Sequence, residues 1–158
     1  MNQRARIAMS EDEVTAFLAE SRKLQLGTIN PDGTPHLVTM FYGLLDGRIA
    51  FWTYAKAQKR LNIERDPRVS CLVEVGDDYF GLRGVLVYGT ARLMDEREAV
   101  LSVGMTVTRR MTGLAEDEVT EDIRAYVEHT GRKRVAYVVE PGRVVSWDHR
   151  KLATGATA

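Results

Sequence analysis

Three cations follow the aromatic run Phe51-Trp52: Lys56, Lys59 and Arg60, spaced i, i+3 and i+4. In a helix beginning after Thr53–Tyr54, that spacing puts all three on one face near the amino end. Partial positive charge already sits there, so each cation costs about a few tenths of a kcal/mol unless an anion lies beside it. A phosphate reverses the sign, because free backbone N–H groups and side-chain cations converge on it. The expected chemistry is an anion grip set directly after an aromatic strand. The competing reading is a solvated helix start whose lysines serve solubility, since exposed charges at a surface cost little.

Searches for other chemistry return little. His36, His129 and His149 are scattered, with neither His-x3-His nor Cys-x2-Cys spacing, so no zinc site is expected. No Gly-x-Ser-x-Gly elbow or Walker loop occurs, and Gly81 and Gly84 do not have the spacing of a dinucleotide fingerprint. Asp77-Asp78 and Glu116-Asp117-Glu118 fall where turns and helix starts are expected, so they read as caps and solvated charge rather than a catalytic pair. Cys71 lies in the apolar run Val69–Val75 and reads as a small core hydrophobe. Without acid–base or nucleophilic machinery of its own, the chain points to a bound cofactor that does the chemistry.

Composition narrows the class. The 158 residues are 44% hydrophobic and 28% charged, with 22 basic and 22 acidic side chains, the pattern of a soluble globular domain. Zero net charge argues against a nucleic-acid module, which needs a basic surface. No apolar run approaches the ~20 residues of a membrane span. A single cysteine and the lack of a secretory signal lead us to expect a reducing, cytoplasmic location. One domain over 1–158 is expected, with flexible ends at 1–9 and 153–158.

The elements that must position the cations follow from pattern. Ser10 and Glu13 have capping-box spacing, and Val14, Phe17 and Leu18 form one apolar face, predicting a helix over Ser10–Glu20. Strands are predicted at Leu24–Ile29 and Thr34–Leu45 around the turn Asn30-Pro31-Asp32-Gly33, then at Arg48–Tyr54 after Asp46-Gly47. The cationic helix should stop at Asp66-Pro67. Further strands are predicted at Val69–Val75 and Arg83–Leu93. A helix capped by Asp95 and Glu98 should reach roughly Arg110, and another over Glu116–Thr130 should turn Val119, Ile123, Tyr126 and Val127 inward. A last strand, Arg134–Val139, should continue as Val144–Trp147 past a turn or bulge at Pro141-Gly142. This order is not the alternating β-α pattern of a parallel sheet. It predicts a mainly β fold, an antiparallel barrel of six or seven strands with inserted and flanking helices.

With hairpin and cations in view, the chain resembles the pyridoxamine 5′-phosphate oxidase-like split β-barrel superfamily over about Glu13–Trp147. The resemblance rests on Leu26-Gly27-Thr28, Pro31-Asp32-Gly33, Pro35-His36, and Phe51-Trp52-Thr53 followed by Lys59-Arg60, Asn62 and Asp66-Pro67-Arg68-Val69. It is most similar to the flavin/deazaflavin oxidoreductase branch, many members of which use the deazaflavin coenzyme F420. The oxidase branch presents Ser-Arg-Lys to the FMN phosphate; here Ala57, Gln58 and Lys59 stand at those positions, and only the lysine is kept. The resemblance implies a cofactor phosphate and acidic tail held by Lys56, Lys59 and Arg60 beside Gln58. It implies a ring lying along His36–Met40, read by backbone groups of Val38, Thr39 and Met40 and bordered by Trp52 and Thr53. A homodimer is implied, with sites at its interface and Trp147 as a wall from the partner subunit. The expected activity is F420-dependent hydride transfer to a conjugated or unsaturated small molecule. FMN-dependent oxidase or reductase chemistry and a non-catalytic flavin or tetrapyrrole carrier are the alternatives.

Overall fold

The computed structural model describes residues 2–153. A short helix α1 (Gln3–Ile7) stands in the amino-terminal segment. Helix α2 (Glu11–Glu20) starts at the capping box: the Ser10 hydroxyl accepts from the Glu13 N–H, and the Glu13 carboxylate accepts from the Ser10 N–H. Strands β1 (Lys23–Ile29) and β2 (Pro35–Phe41) form the first hairpin, with Gly33 at φ 85° in its turn. The predicted Thr34–Leu45 strand is in fact two. It breaks at Tyr42, which is fully buried and donates its hydroxyl to the Leu18 carbonyl at 2.6 Å. Beyond it, β3 (Gly43–Leu45) pairs not with β1 but with β4 (Arg48–Tyr54). Asp46 and Gly47, at φ 49° and 75°, make the tight turn between them, where both central residues need positive φ.

Helix α3 runs from Gln58 to Arg65 with Ala57 as its N-cap. Strands β5 (Arg68–Val75) and β6 (Arg83–Met94) follow, joined through a 3-10 turn at Tyr79–Gly81. Helix α4 (Arg97–Thr112) starts at Glu96 with no side-chain cap bond, so the Asp95–Glu98 box does not form. It outlasts the predicted end and stops at Gly113, in the left-handed region at φ 76°. Glu116–Glu118 is a separate 3-10 turn, and α5 (Glu121–Gly131) begins only after Thr120, whose hydroxyl caps it. Val127 is buried as expected, whereas Tyr126 is 48% exposed. Strand β7 (Arg134–Asp148) is continuous; its register against β6 shifts beside Pro141-Gly142, a bulge that tolerates the proline. Helix α6 (Arg150–Ala153) closes the described chain, and the rest of the predicted frayed tail lies outside the described residues. No described helix is long and apolar enough to cross a membrane.

The strands form a seven-stranded antiparallel sheet in the order β2-β1-β5-β6-β7-β4-β3. It curls into a split barrel, mainly β as expected, with β2 and β3 at its two margins. Leu24, Leu26, Cys71, Val73, Val85, Phe51 and Tyr137 fill the interior with Phe17 and Leu18 of α2. A second cluster lies outside β4 and β7: Ala50, Trp52 and Ala136 pack under Val100, Val103 and Val107 of α4 and Val127 of α5. Strand β4 is therefore buried on both faces, which explains its unbroken apolar run.

Candidate functional site

Lys56 is exposed in the turn ahead of Ala57, outside α3, because the Ala57 N–H bonds back to the Tyr54 carbonyl before the helix begins. The three cations therefore do not share one helical face. Arg60 is paired with Glu64 one turn on, and its charge opposes the burial that raises the Tyr137 phenol. Gln58 donates to the side chain of Asn62 at 2.8 Å. Asn62 is fully buried and donates to Thr28 and Asn30, both at 3.0 Å, which locks α3 onto β1.

Lys59 is the unbalanced charge. Burial, and then the positive charge of Arg134, push its pKa below the usual lysine value. Arg134 opens β7 and pairs across the ladder with Tyr54. Its guanidinium carbon lies 4.1 Å from the Tyr54 ring centroid and 4.7 Å from that of Trp52. Its Nε is buried with no hydrogen-bond partner. Among the described residues neither Lys59 nor Arg134 has a carboxylate partner. Two neighbouring half-buried cations without a counter-charge fit a phosphate or carboxylate, which would accept from both.

An aromatic wall adjoins them. Trp52 is only 7% exposed; a Cβ on Gly104 of α4 would come within 2.3 Å of its ring, so the glycine is what lets that helix lie over the indole. One edge of Trp52 remains open to a hollow of about 220 Å³, bounded also by Met40, Phe41, Thr108, Met111, Tyr126 and Arg134. Arg134 and Tyr126 are contributions that sequence reasoning missed. Both arrive from elements remote in the chain, and the inward assignment of Tyr126 hid it.

The other predicted residues are placed as follows. His36, Val38 and Met40 are half-buried on one face of β2, and the Nδ1 of His36 is buried without a partner. Thr39 is exposed and donates to Gln25 at 2.6 Å. As a margin strand, β2 leaves half of its backbone groups outside the ladder. Thr53 is buried within β4. Trp147 lies apart, opposite Gly84 near the end of β7, where a Cβ on that glycine would meet its ring at 2.2 Å. It borders a different hollow, with Ile7, Tyr88 and Arg143. Thus Met40, Trp52 and Lys59 gather around Arg134, and Trp147 of the same chain does not join them. Cys71 is buried, its thiol pushed up to about 12. No group of three or more metal-ligating side chains gathers among the described residues.

Residues 10–148 match the pyridoxamine 5′-phosphate oxidase family, and with that match spanning most of its length the chain belongs to that family. The solved structure of the conserved hypothetical protein Rv2991 from Mycobacterium tuberculosis is 44% identical, with a TM-score of 0.88 over 100% of this chain and 96% of the other. An F420 reductase shares the fold at 22% identity and a TM-score of 0.60, covering 82% of this chain and 93% of that one. So does HutZ, the haem storage protein of Vibrio cholerae, at 17% identity and 0.65, over 86% and 94%. No curated protein matches the sequence.

Proposed function

We propose that this chain is an oxidoreductase that binds the deazaflavin F420 and serves hydride transfer to a conjugated or unsaturated small molecule. The observation that carries the proposal is the Lys59–Arg134 pair, uncompensated by any carboxylate among the described residues, with Arg134 stacked on Trp52 and lining the hollow beside it. In this reading Lys59 and Arg134 hold the cofactor phosphate, and exposed Lys56 attracts the acidic tail. Arg60, already engaged by Glu64, contributes its charge at longer range. Met40 and Trp52 border the ring, with His36, Val38 and Thr39 along the free margin of β2. When bound, the deazaflavin supplies the hydride carrier; the chain orients it, shields one side from water and aligns the substrate. A hollow of about 220 Å³ falls short of the ~300 Å³ at which ligand pockets usually begin. A second copy of the chain completes the site in this proposal, with Trp147 among the residues it brings.

The family match equally supports FMN, and the haem-storage relative supports a carrier role. Side-by-side titration with F420, FMN and haemin separates the three. Tightest binding of F420, with turnover of a reducible acceptor, supports the proposal. Tightest binding of FMN, or haemin binding without turnover, replaces it with the corresponding alternative.

A further inference from the structure

Nearly opposite the face of α4 that carries Thr108 and Met111, a second cavity of about 360 Å³ lies between Thr106, Arg109, Arg110, Arg22 and Leu44. Its charges do not balance. Both terminal nitrogens of Arg110 are engaged: they donate to the carbonyls of Leu18, Ala19 and Ser21 at the end of α2, and the guanidinium lies 4.6 Å from the centre of the Tyr42 ring, although its Nε is buried without a partner. The Arg22 guanidinium has no hydrogen-bond or ion-pair partner among the described residues. Arg109 has a loose contact of 3.6 Å to Glu116, a side chain 90% exposed, and its buried Nε is unpartnered. The remaining acid on the wall, Glu20, is taken by Arg83 at 3.2 Å.

Arginines at this position could simply offset the negative carboxyl ends of α2 and α4. That explains Arg110, whose N–H groups reach those carbonyls. It does not explain Arg22 and Arg109, which bond none. Ala19 and Leu44 also line an adjacent apolar slot of about 190 Å³ walled by Val14, Leu18, Ile49 and Val144. One end presents two guanidinium groups with donors to spare, and the other presents hydrocarbon.

We propose that this groove binds an anionic amphiphile, its carboxylate or phosphate held by Arg22 and Arg109 and its aliphatic tail laid along Val14, Leu18, Leu44 and Ile49. The planar donor fork of arginine suits either headgroup, and the tail gains by leaving water. A bare anion lacks the second contribution and an uncharged alcohol lacks the first. The site is distinct from the Lys59–Arg134 pair and does not depend on the cofactor assigned there.

Calorimetric titration of the purified full chain with decanoate, decyl phosphate, decanol and inorganic phosphate, each below its aggregation concentration, tests this. One or both charged decyl compounds should bind at least tenfold more tightly than decanol and than inorganic phosphate, and the tighter of the two identifies the headgroup. Arg22→Gln and Arg109→Gln should each weaken that binding at least fivefold, and Val144→Asp, at a half-exposed position, should do so through the tail. Lys59→Ala should leave it unchanged. Unaltered circular dichroism and thermal midpoint will show that each variant is folded. Decanol binding as tightly as decanoate, inorganic phosphate binding as tightly as decyl phosphate, or full affinity in both arginine variants would overturn the proposal.

Discussion

Lys59 shows how a single side chain reports on its missing neighbour. Its pKa is lowered because burial and Arg134 both disfavour the charged amine, and a bound phosphate would relieve both penalties. Binding should therefore take up protons just below 10.5, the ordinary lysine value, and affinity should fall as pH rises through that window. In the free protein the sign for stability is the reverse: the penalty on charged Lys59 is complete below its folded pKa and disappears as pH rises toward 10.5. Cofactor titrations at neutral and alkaline pH will show the trend, and Lys59→Arg should flatten it. Lys59→Ala should weaken cofactor binding by about 1–3 kcal/mol, roughly five- to 150-fold in Kd. Cys71 makes an opposite prediction. With its thiol pushed up to about 12 by burial, it should resist a thiol reagent at neutral pH in the native protein and react once unfolded. Lys59 was legible in the sequence because a cation in the first turn of a helix conflicts with the dipole. Arg134 was not, since nothing local in a strand sequence tells which distant side chain it will meet.

At the level of elements, α3 presents Lys59 only because Asn62 fastens it to β1. Asn62→Ala removes hydrogen bonds to Thr28, Asn30 and Gln58 from a fully buried position, and should destabilise the fold by about 1–3 kcal/mol in denaturant titrations. It should also loosen cofactor binding although it touches no cofactor. Gly104→Ala drives a methyl group into the Trp52 ring and should cost about 1–3 kcal/mol, with a shift in tryptophan emission as the indole is displaced. Most strands were readable because alternation and turn residues such as Asp32-Gly33 and Asp46-Gly47 act locally. The errors fell where tertiary contact decides. Tyr42 fits a continuous strand until its hydroxyl anchors to Leu18, and the onset of α3 was misplaced because Lys56 has the spacing of a first helical turn, whereas the backbone makes a separate tight turn there and begins the helix only at Gln58. Asp95 and Glu98 had the spacing of a box that the chain does not close.

On the scale of the whole molecule, the barrel has an outer sheet face around Gly27, Ile29, Leu37, Ser70 and Tyr88, where a largely apolar hollow of about 470 Å³ lies beside Leu37, itself 72% exposed. Under the proposed homodimer, light scattering should return the mass of two chains, and Leu37→Asp should return one. If the variant also loses cofactor affinity, the small hollow at Trp52 depends on the second copy. The sheet itself has a further property. Its margins, β2 and β3, are neighbours in sequence through Tyr42 but are not joined to each other in the ladder. Parting them severs no rung, but the single linking residue Tyr42, held to Arg22 and Leu18, pins one end of the seam. Away from that pinned end the width of the seam is set by replaceable side chains rather than by backbone hydrogen bonds, so substitutions there can reshape the open side of the barrel without rebuilding its frame.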